Sequence, residues 1–147
     1  QVQEVIAARK KEMIRYKILP RIVAKDKDWV VLTDPKWHRF VLEQIVQNAL
    51  KYTRQVRDQS KLLFHLQQQK RTIRLSIQDE GPGIPPKDLP RVFDPFFTGQ
   101  NGRKFAGATG MGLYLAKKVC DQLDHSLSIS SIMGEGTTVT ITYSIMK

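Results

Sequence analysis

Residues 72–84 read TIRLSIQDEGPGI, and they join a strand pattern to a glycine-rich turn. Apolar residues alternate with polar ones along the strand, and Asp79 continues the alternation, so its carboxylate is expected on the buried face. A buried carboxylate without a partner is costly and needs a hydrogen-bond donor. Gly81 and Gly83 follow, and their missing side chains allow a ligand to approach the backbone closely. A strand-end aspartate that caps a turn is the alternative, but the acid with two glycines favours a ligand site.

A polar stripe is predicted on the helix that begins at Pro35, where an aspartate can cap the first turn. Gln44, Asn48 and Tyr52 are spaced four residues apart, so they share one side of the helix, and Lys51 adjoins them. The stripe borders the apolar face, where full solvent exposure is not expected. Taken alone, it is more simply explained by a hydrogen bond from Asn48 to a neighbouring loop.

A second glycine-rich segment leads into another helix. Residues 81–112 hold seven of the nine glycines and five of the seven prolines, so they cannot form one regular element. The part at 107–112 reads GATGMG, and it would present free backbone N–H groups and the positive end of a helix dipole to a phosphate. It is neither a Walker loop nor a Rossmann turn, and a flexible loop before a helix is the alternative.

The remaining pattern predicts a layer of helices on a mixed or antiparallel sheet. Helices are predicted over residues 2–16, from residue 35 to a point between 55 and 60, and over 113–123. Strand pairs are predicted for 18–24 with 29–33, for 61–66 with 72–79, and for 127–129 with 139–145. The buried face of the helix after Pro35 is predicted to hold Trp37, Val41, Ile45 and Leu50.

Composition limits the classes of protein to be considered. The 147 residues suit one soluble domain, and no apolar run is long enough to span a bilayer. A single cysteine, Cys120, excludes an internal disulfide and favours a reducing, cytoplasmic setting. The net charge of +10 suggests an anionic partner or a solvated basic surface. The basic residues are scattered, so a nucleic-acid-binding module is an alternative without a recognisable motif.

Five short segments, taken in order, resemble the conserved boxes of sensor histidine kinases. They are the N box at 44–53, the G1 box at 79–84, the F box at 93–97, the G2 box at 110–113 and a closing glycine turn at 134–137. The resemblance spans about residue 34 to the end, and five boxes in order are far more specific than any one. It implies the Bergerat fold, an α/β (α+β two-layer) sandwich in which helices cover one face of a mixed, mostly antiparallel sheet. Residues 17–147 would form the ATP-binding domain, and 1–16 would be the tail of, or linker from, the dimerisation helices.

The resemblance implies a magnesium and phosphate end of the site. Asn48 would ligate Mg²⁺, with Gln44 beside it, which agrees with the oxygen ligands that Mg²⁺ takes. Lys51 would contact phosphate. A lid at residues 98–109 would add two cations, which are Arg103 as the main phosphate contact and Lys104 as the second.

The resemblance also implies a purine end. Tyr52 would pack against the adenine of ATP, Asp79 would accept a hydrogen bond from the adenine amino group, and Thr137 would support Asp79 through water. The other residues expected to shape the pocket are Gly81, Gly83, Ile84, Gly110, Met111, Gly112 and Leu113. The rings of the F box, Phe93, Phe96 and Phe97, would dock the lid and the helical domain, with at least one of them packed in the core.

Gln44 departs from the gyrase-type ATPases, which hold a glutamate at this position to activate water. An amide cannot serve as a general base, and Glu43 is turned about 100° around the helix. This difference favours phosphoryl transfer to an external acceptor over hydrolysis by a gyrase- or Hsp90-type enzyme. A small anti-sigma serine kinase with the same sandwich is disfavoured by the complete F box.

The phosphoacceptor is expected outside this sequence, since His38, His65 and His125 all lack the histidine-acid motif of an acceptor helix. The implied reaction transfers the γ-phosphoryl group of ATP to a histidine on the protein's own dimerisation domain, for relay to a response regulator. No catalytic residue is assigned within this piece, and no nucleic-acid partner is expected. Residues 97–103 resemble the lid of Gram-positive kinases that sense peptide antibiotics, and the full-length protein is expected to be a membrane protein with this domain in the cytoplasm.

Overall fold

The computed structural model describes residues 1–24, 31–53, 59–97 and 111–144. These residues form four α-helices and a five-stranded sheet. The helices are α1 (Val2–Ala8), α2 (Lys10–Arg15), α3 (Pro35–Thr53) and α4 (Gly112–Gln122), with a 3₁₀ turn at Leu89–Arg91. The strands are β1 (Ile18–Ala24), β2 (Ser60–Gln69), β3 (Thr72–Gln78), β4 (Ser126–Ile132) and β5 (Gly136–Ser144).

The sheet is mixed and has the strand order β1-β2-β3-β5-β4. β1 runs parallel to β2, and every other neighbouring pair is antiparallel. Burial alternates along β3, where Ile73, Leu75 and Ile77 face the core and the residues between them do not. One apolar face of the sheet is therefore covered by helices, which confirms the predicted two-layer α/β sandwich.

The two predicted hairpins, β2–β3 and β4–β5, are confirmed with shifted ends. β2 and β3 pair antiparallel across the predicted polar turn, and β4 and β5 pair across the turn at 134–136. The helix predicted over 113–123 is α4, which begins one residue earlier. Residue 145 and the predicted end of the helix between 55 and 58 lie outside the described residues. No helix among the described residues is long and apolar enough to cross a membrane.

The predicted pairing of 18–24 with 29–33 is wrong where it can be compared. β1 pairs in parallel with β2, with Ile18 opposite Ser60, and residues 31–33 are not in a strand. Residues 29 and 30 lie outside the described residues. Parallel neighbours need a long crossover, and here the connection includes the 19-residue helix α3. Two short β-branched runs around a polar turn have the composition of a hairpin, but composition does not identify the partner of an edge strand.

The prediction that Trp37 is buried is also wrong. Its side chain is 47% exposed, whereas the next residue, His38, is 8% exposed. The Nε2 atom of His38 hydrogen-bonds the hydroxyl of Tyr143 on β5, and Nδ1 bonds the side chain of Gln1. This polar anchor fixes the rotation of the helix and places Trp37 beside the buried face. The buried residues of α3 are His38, Val41, Leu42, Ile45, Val46, Ala49, Leu50 and Thr53.

The first sixteen residues pack on the domain as two short helices. Val5 and Met13 are 1% and 2% exposed and belong to the same core cluster as the sheet. α1 contacts α3, and α2 contacts β1. The assignment of 1–16 to a preceding helical segment stays a prediction.

Candidate functional site

Asp79 lies at the end of β3 with its carboxylate in the interior, as its place in the strand pattern predicts. Its side chain is 7% exposed, and Oδ1 accepts hydrogen bonds from the backbone N–H of Gly81 (2.9 Å) and of Thr137 (3.1 Å). Burial raises the pKa of Asp79 to about 6, against these two donors, which act to lower it. At neutral pH the carboxylate is therefore mostly ionised.

The two donors to Asp79 converge on one oxygen. The described residues give no hydrogen bond to Oδ2, which leaves that oxygen as an acceptor for a further donor. A charged acceptor that is desolvated and held on one side by backbone groups binds an N–H donor more strongly than an exposed carboxylate does. The carboxylate is thus held at Oδ1, and the described residues leave Oδ2 without a protein donor.

Two glycines hold the end of β3 against the β4–β5 turn. Gly136 has a φ of +146°, and a Cβ atom built on it would lie 2.0 Å from the carbonyl oxygen of Asp79. Gly83 has a φ of +82°, and its Cβ would lie 2.6 Å from the carbonyl oxygen of Ile132. The neighbours of both glycines are protein backbone, so their first role in this structure is close packing of two loops.

Ser131, which the sequence analysis did not select, connects these loops. Its hydroxyl accepts a hydrogen bond from the backbone N–H of Ile84 (2.7 Å) and lies 3.0 Å from the hydroxyl of Thr137 and from the carbonyl oxygen of Gly136. Thr137 itself supports Asp79 directly through its backbone N–H. The alternation of β4 would have placed Ser131 on the same face as Leu127 and Ile129, but a serine in a strand has many explanations.

The polar stripe of α3 lies at the border of the buried face. Gln44, Asn48, Lys51 and Tyr52 are all half-buried, as their spacing predicts. Burial raises the pKa of the Tyr52 phenol. The stripe therefore presents two side-chain amides, a cation and a phenol from one helix.

The start of α4 lies against this stripe. A Cβ atom built on Gly112 would be 3.0 Å from Oε1 of Gln44, and α3 and α4 pack along their lengths. Met111 and Leu113 flank Gly112 and are half-buried. The structure thus brings Gly112, at the start of α4, to the side-chain amide of Gln44. The predicted contacts Arg103, Lys104 and Gly110, and the lid at 98–109, lie outside the described residues.

The three phenylalanines of residues 93–97 have different surroundings. Phe93 packs against the core, as was expected for at least one of them. Phe96 is 74% exposed and has a φ of +63°. The guanidinium of Arg91 lies over the ring of Phe97, 4.6 Å from its centroid. Phe96 therefore presents an exposed ring to solvent.

Thr53, the last residue of the N box, received no role from the sequence, but it lies where the two ends of the site meet. It is the last described residue of α3, and its side chain is 1% exposed. A Cβ atom built on Gly81 would lie 3.4 Å from Thr53 Oγ1 and 3.1 Å from Asp79 Oδ1. The helix that carries the amides therefore ends beside the carboxylate.

The candidate site thus combines a carboxylate beside a glycine turn, an amide stripe on α3 and a helix that begins with glycine. A model of the family of histidine kinase-, DNA gyrase B- and HSP90-like ATPases matches residues 33–146, and the chain belongs to this family. Within it, the chain is a histidine-kinase-type catalytic domain, because its relatives are sensor histidine kinases. It is 42% identical to the sensor histidine kinase YxdK of Bacillus subtilis over 97% of this chain and 43% of that protein.

Two further relatives show the same relationship. The sensor protein BceS of Halalkalibacterium halodurans is 44% identical over 77% of this chain and 33% of its own length. The sensor protein kinase GraS of Staphylococcus aureus is 38% identical over 82% of this chain and 34% of its own length. The chain thus spans less than half the length of these relatives. They confirm the family expected from the boxes and do not favour the hydrolase or nucleic-acid alternatives.

Solved structures show the same fold. The catalytic domain of histidine kinase ThkA superposes with a TM-score of 0.83 at 22% identity, covering 99% of this chain and 92% of that one. The mycobacterial sensor histidine kinase MprB gives 0.75 at 25% identity, covering 97% and 93%. The two-layer architecture is therefore that of histidine kinase catalytic domains.

Proposed function

We propose that this domain binds Mg·ATP and transfers the γ-phosphoryl group to a histidine on a separate dimerisation domain, from which it passes to a response regulator. The observation that carries the proposal is the Asp79 carboxylate, which is buried, held at Oδ1 by two backbone N–H groups and left with Oδ2 as an acceptor. A solved structure of the same fold, full-length ShkA, is a complex with AMPPNP, at a TM-score of 0.81 and 18% identity.

At the purine end, Asp79 accepts the adenine amino group through Oδ2, and Tyr52 packs on the base. The pKa of about 6 leaves the carboxylate mostly charged at pH 7, so it accepts from the amino group without first losing a proton. Thr137 and Gly81 keep Oδ1 occupied and so aim the other oxygen at the ligand.

At the phosphate end, the donor set suits magnesium. Asn48 and Gln44 offer neutral amide oxygens, which are ligands that Mg²⁺ accepts when substrate phosphates supply the negative charge. When bound, the ion neutralises charge on the phosphates. Lys51 on the same helix and the lid cations Arg103 and Lys104 contribute to the same neutralisation. Gly110, Met111, Gly112 and Leu113 form the helix start that receives the phosphates.

Transfer to an external acceptor is favoured over hydrolysis by the residues next to Asn48. Gln44 carries an amide that cannot take a proton from water at neutral pH. Glu43 forms an ion pair with Arg39, at 3.4 Å between Oε1 and Nε, on another side of α3. No general base is therefore assigned to this domain, and its residues act by positioning and charge stabilisation.

The acceptor histidine is assigned to the part of the protein outside this chain. His38 and His125 are 8% exposed and hydrogen-bonded to Tyr143 and Thr33, respectively. Burial, helped by the charge of His125, lowers the pKa of His38 to about 4. By its likeness to the sensor proteins YxdK, BceS and GraS, we assign this domain to the cytoplasmic part of a homodimeric, membrane-anchored sensor of the peptide-antibiotic subgroup.

Calorimetric titration with ADP, with and without Mg²⁺, tests the proposal. In Asp79→Asn the amide oxygen must face the two backbone donors, so its NH₂ group is forced towards the adenine amino group. We expect Mg·ADP affinity to fall by about 100-fold. This is the scale for losing a hydrogen bond to a charged group and placing the side-chain NH₂ donor against the adenine amino donor. Asp124→Asn is the matched control, because Asp124 is exposed and its φ of +59° suits asparagine.

The same titration separates the metal end. We expect Asn48→Ala to keep the affinity for ADP without metal and to lose the gain that Mg²⁺ gives, since only an oxygen ligand is removed. Gln47→Ala removes an exposed amide one position earlier and serves as the control. Wild-type affinity in both Asp79→Asn and Asn48→Ala would contradict the proposal.

A further inference from the structure

The hydroxyl of Thr53 is a buried polar group without a partner. Its Oγ1 atom is inaccessible to solvent and makes no hydrogen bond, a property it shares among the described residues only with Nδ1 of His125. A threonine in a helix commonly donates to the carbonyl oxygen four residues earlier, but Thr53 does not. Buried hydroxyls are nearly always paired, so this exception calls for a physical reason.

The position of the hydroxyl supplies that reason. Thr53 Oγ1 and Asp79 Oδ1 both lie within 3.4 Å of the point where a side chain would begin on Gly81. Gly81 has no side chain to separate them, and it donates its N–H to Asp79. The unpaired hydroxyl and the Asp79 carboxylate therefore approach Gly81 from the same side, and the described residues give no donor to Oδ2 of that carboxylate.

One ligand edge would satisfy both groups. Asp79 Oδ2 needs a donor, and the hydroxyl of Thr53 can donate to an acceptor. Adenine carries an exocyclic amino donor next to ring-nitrogen acceptors, so it presents the two functions side by side. A purine with a carbonyl in place of the amino group would instead set an acceptor against the carboxylate.

We propose that Thr53 is a positioning residue for the purine: when nucleotide binds, a rotation of its side chain exposes the buried hydroxyl, which then hydrogen-bonds to the base edge directly or through one water molecule. This inference rests on the proposed nucleotide site and adds a residue to it. The hydroxyl is left unpaired in the free domain, and nucleotide binding satisfies it. Part of the affinity for adenine therefore comes from relieving a cost that the free domain carries.

Thr53→Val tests the inference because valine has the same shape and lacks the hydroxyl. The nucleotide-free variant should melt roughly 3 °C or more above wild type, since an unpaired buried group is removed. Its affinity for Mg·ADP should fall about tenfold, which corresponds to about 1.4 kcal/mol. Thr53→Ser keeps the hydroxyl and should bind Mg·ADP within about twofold of wild type.

Thr140→Val is the matched control. The hydroxyl of Thr140 pairs with that of Ser76 at 3.1 Å, on the strand face opposite Thr137, so Mg·ADP affinity should not change. A Thr53→Val protein that binds Mg·ADP as tightly as wild type overturns the inference and leaves the proposed function standing. A variant that loses stability and affinity together also overturns it, because that result marks a structural role. A wild-type domain that does not bind Mg·ADP overturns the proposed function and this inference with it.

Discussion

The two ends of the candidate site are built differently. At the carboxylate end, Asp79 is held by backbone N–H groups of Gly81 and Thr137, and the register of β3 with β5 fixes their positions. At the amide end, Gln44 and Asn48 are side chains on one helix. A backbone-built end cannot adjust without moving strands, whereas a side-chain end can change rotamers. The same substitution should therefore have very different costs at the two ends.

The largest effect is expected from Gly136→Ala at the carboxylate end. The new Cβ would meet the carbonyl oxygen of Asp79 at 2.0 Å, so β3 and β5 must separate locally. We expect a loss of at least about 3 kcal/mol in the free energy of unfolding, or roughly 10 °C in melting temperature for a domain of this size. Thermal unfolding followed by circular dichroism measures the shift.

Gly134→Ala in the same turn isolates the steric part of that loss. Gly134 also has a positive φ, of +81°, but no atom lies within 4 Å of a Cβ built on it. Its free energy of unfolding should fall by only about 1–2 kcal/mol, which is the cost of placing an alanine in the left-handed conformation. If the two variants melt together, the close approach of Gly136 to Asp79 does not constrain the domain.

A smaller effect is expected from pH, and it is confined to the carboxylate end. The pKa of Asp79 is about 6 in the folded state and 3.8 without burial, so between these values the folded domain holds a proton that the unfolded chain has released. Stability therefore falls as pH rises through this window, by roughly 2–3 kcal/mol. Nucleotide affinity changes in the opposite direction, since Oδ1 is occupied by two donors and a proton on the carboxyl group would block Oδ2, the oxygen that accepts the amino group. It should fall about tenfold from pH 7 to pH 5.

The Asp79→Asn variant is needed to isolate this pH dependence of stability, because a second buried group, His38, changes stability with pH in the opposite direction. The pKa of His38 is lowered to about 4, so His38 contributes stability that is lost as pH falls from about 6.5 towards 4. Asp79→Asn keeps the histidine effect and removes the carboxylate effect. Subtracting its urea-unfolding free energies from those of wild type should leave the slope assigned to Asp79, and a flat difference would show that this carboxylate keeps an ordinary pKa in the folded domain.

The difference between the two ends also explains what could be predicted from sequence. Asp79 could be selected because strand alternation places a side chain on a known face, and the amide stripe because helical spacing does the same. Thr53 and Ser131 could not, because their importance comes from contacts between segments far apart in the chain. The predictions that Trp37 is buried and that residues 18–24 pair with 29–33 were wrong for the same reason. The hydrogen bond between His38 and Tyr143 and the crossover through α3 are tertiary contacts, which local sequence patterns do not reveal. Local sequence patterns therefore predicted the helices and strands and the buried face of each. Long-range contacts determined the rotation of α3 and the partner strand of β1.

The smallest effect is expected from Gly112→Ala at the amide end. The new Cβ would lie 3.0 Å from Oε1 of Gln44, but that atom is the far end of a flexible side chain and can move by rotation. Alanine also favours the helix over glycine by up to about 1 kcal/mol, so the stability of the domain should stay within about 1 kcal/mol of wild type. Moving Gln44 should nevertheless weaken Mg·ADP binding by a few fold and leave metal-free ADP binding unchanged, if Gln44 stands beside the metal. Titration of Gln44→Ala, Gly112→Ala and the double variant then decides the point. The losses of Mg·ADP affinity should not add in the double variant, because both substitutions act through one amide. Additive losses would place Gln44 away from the ion.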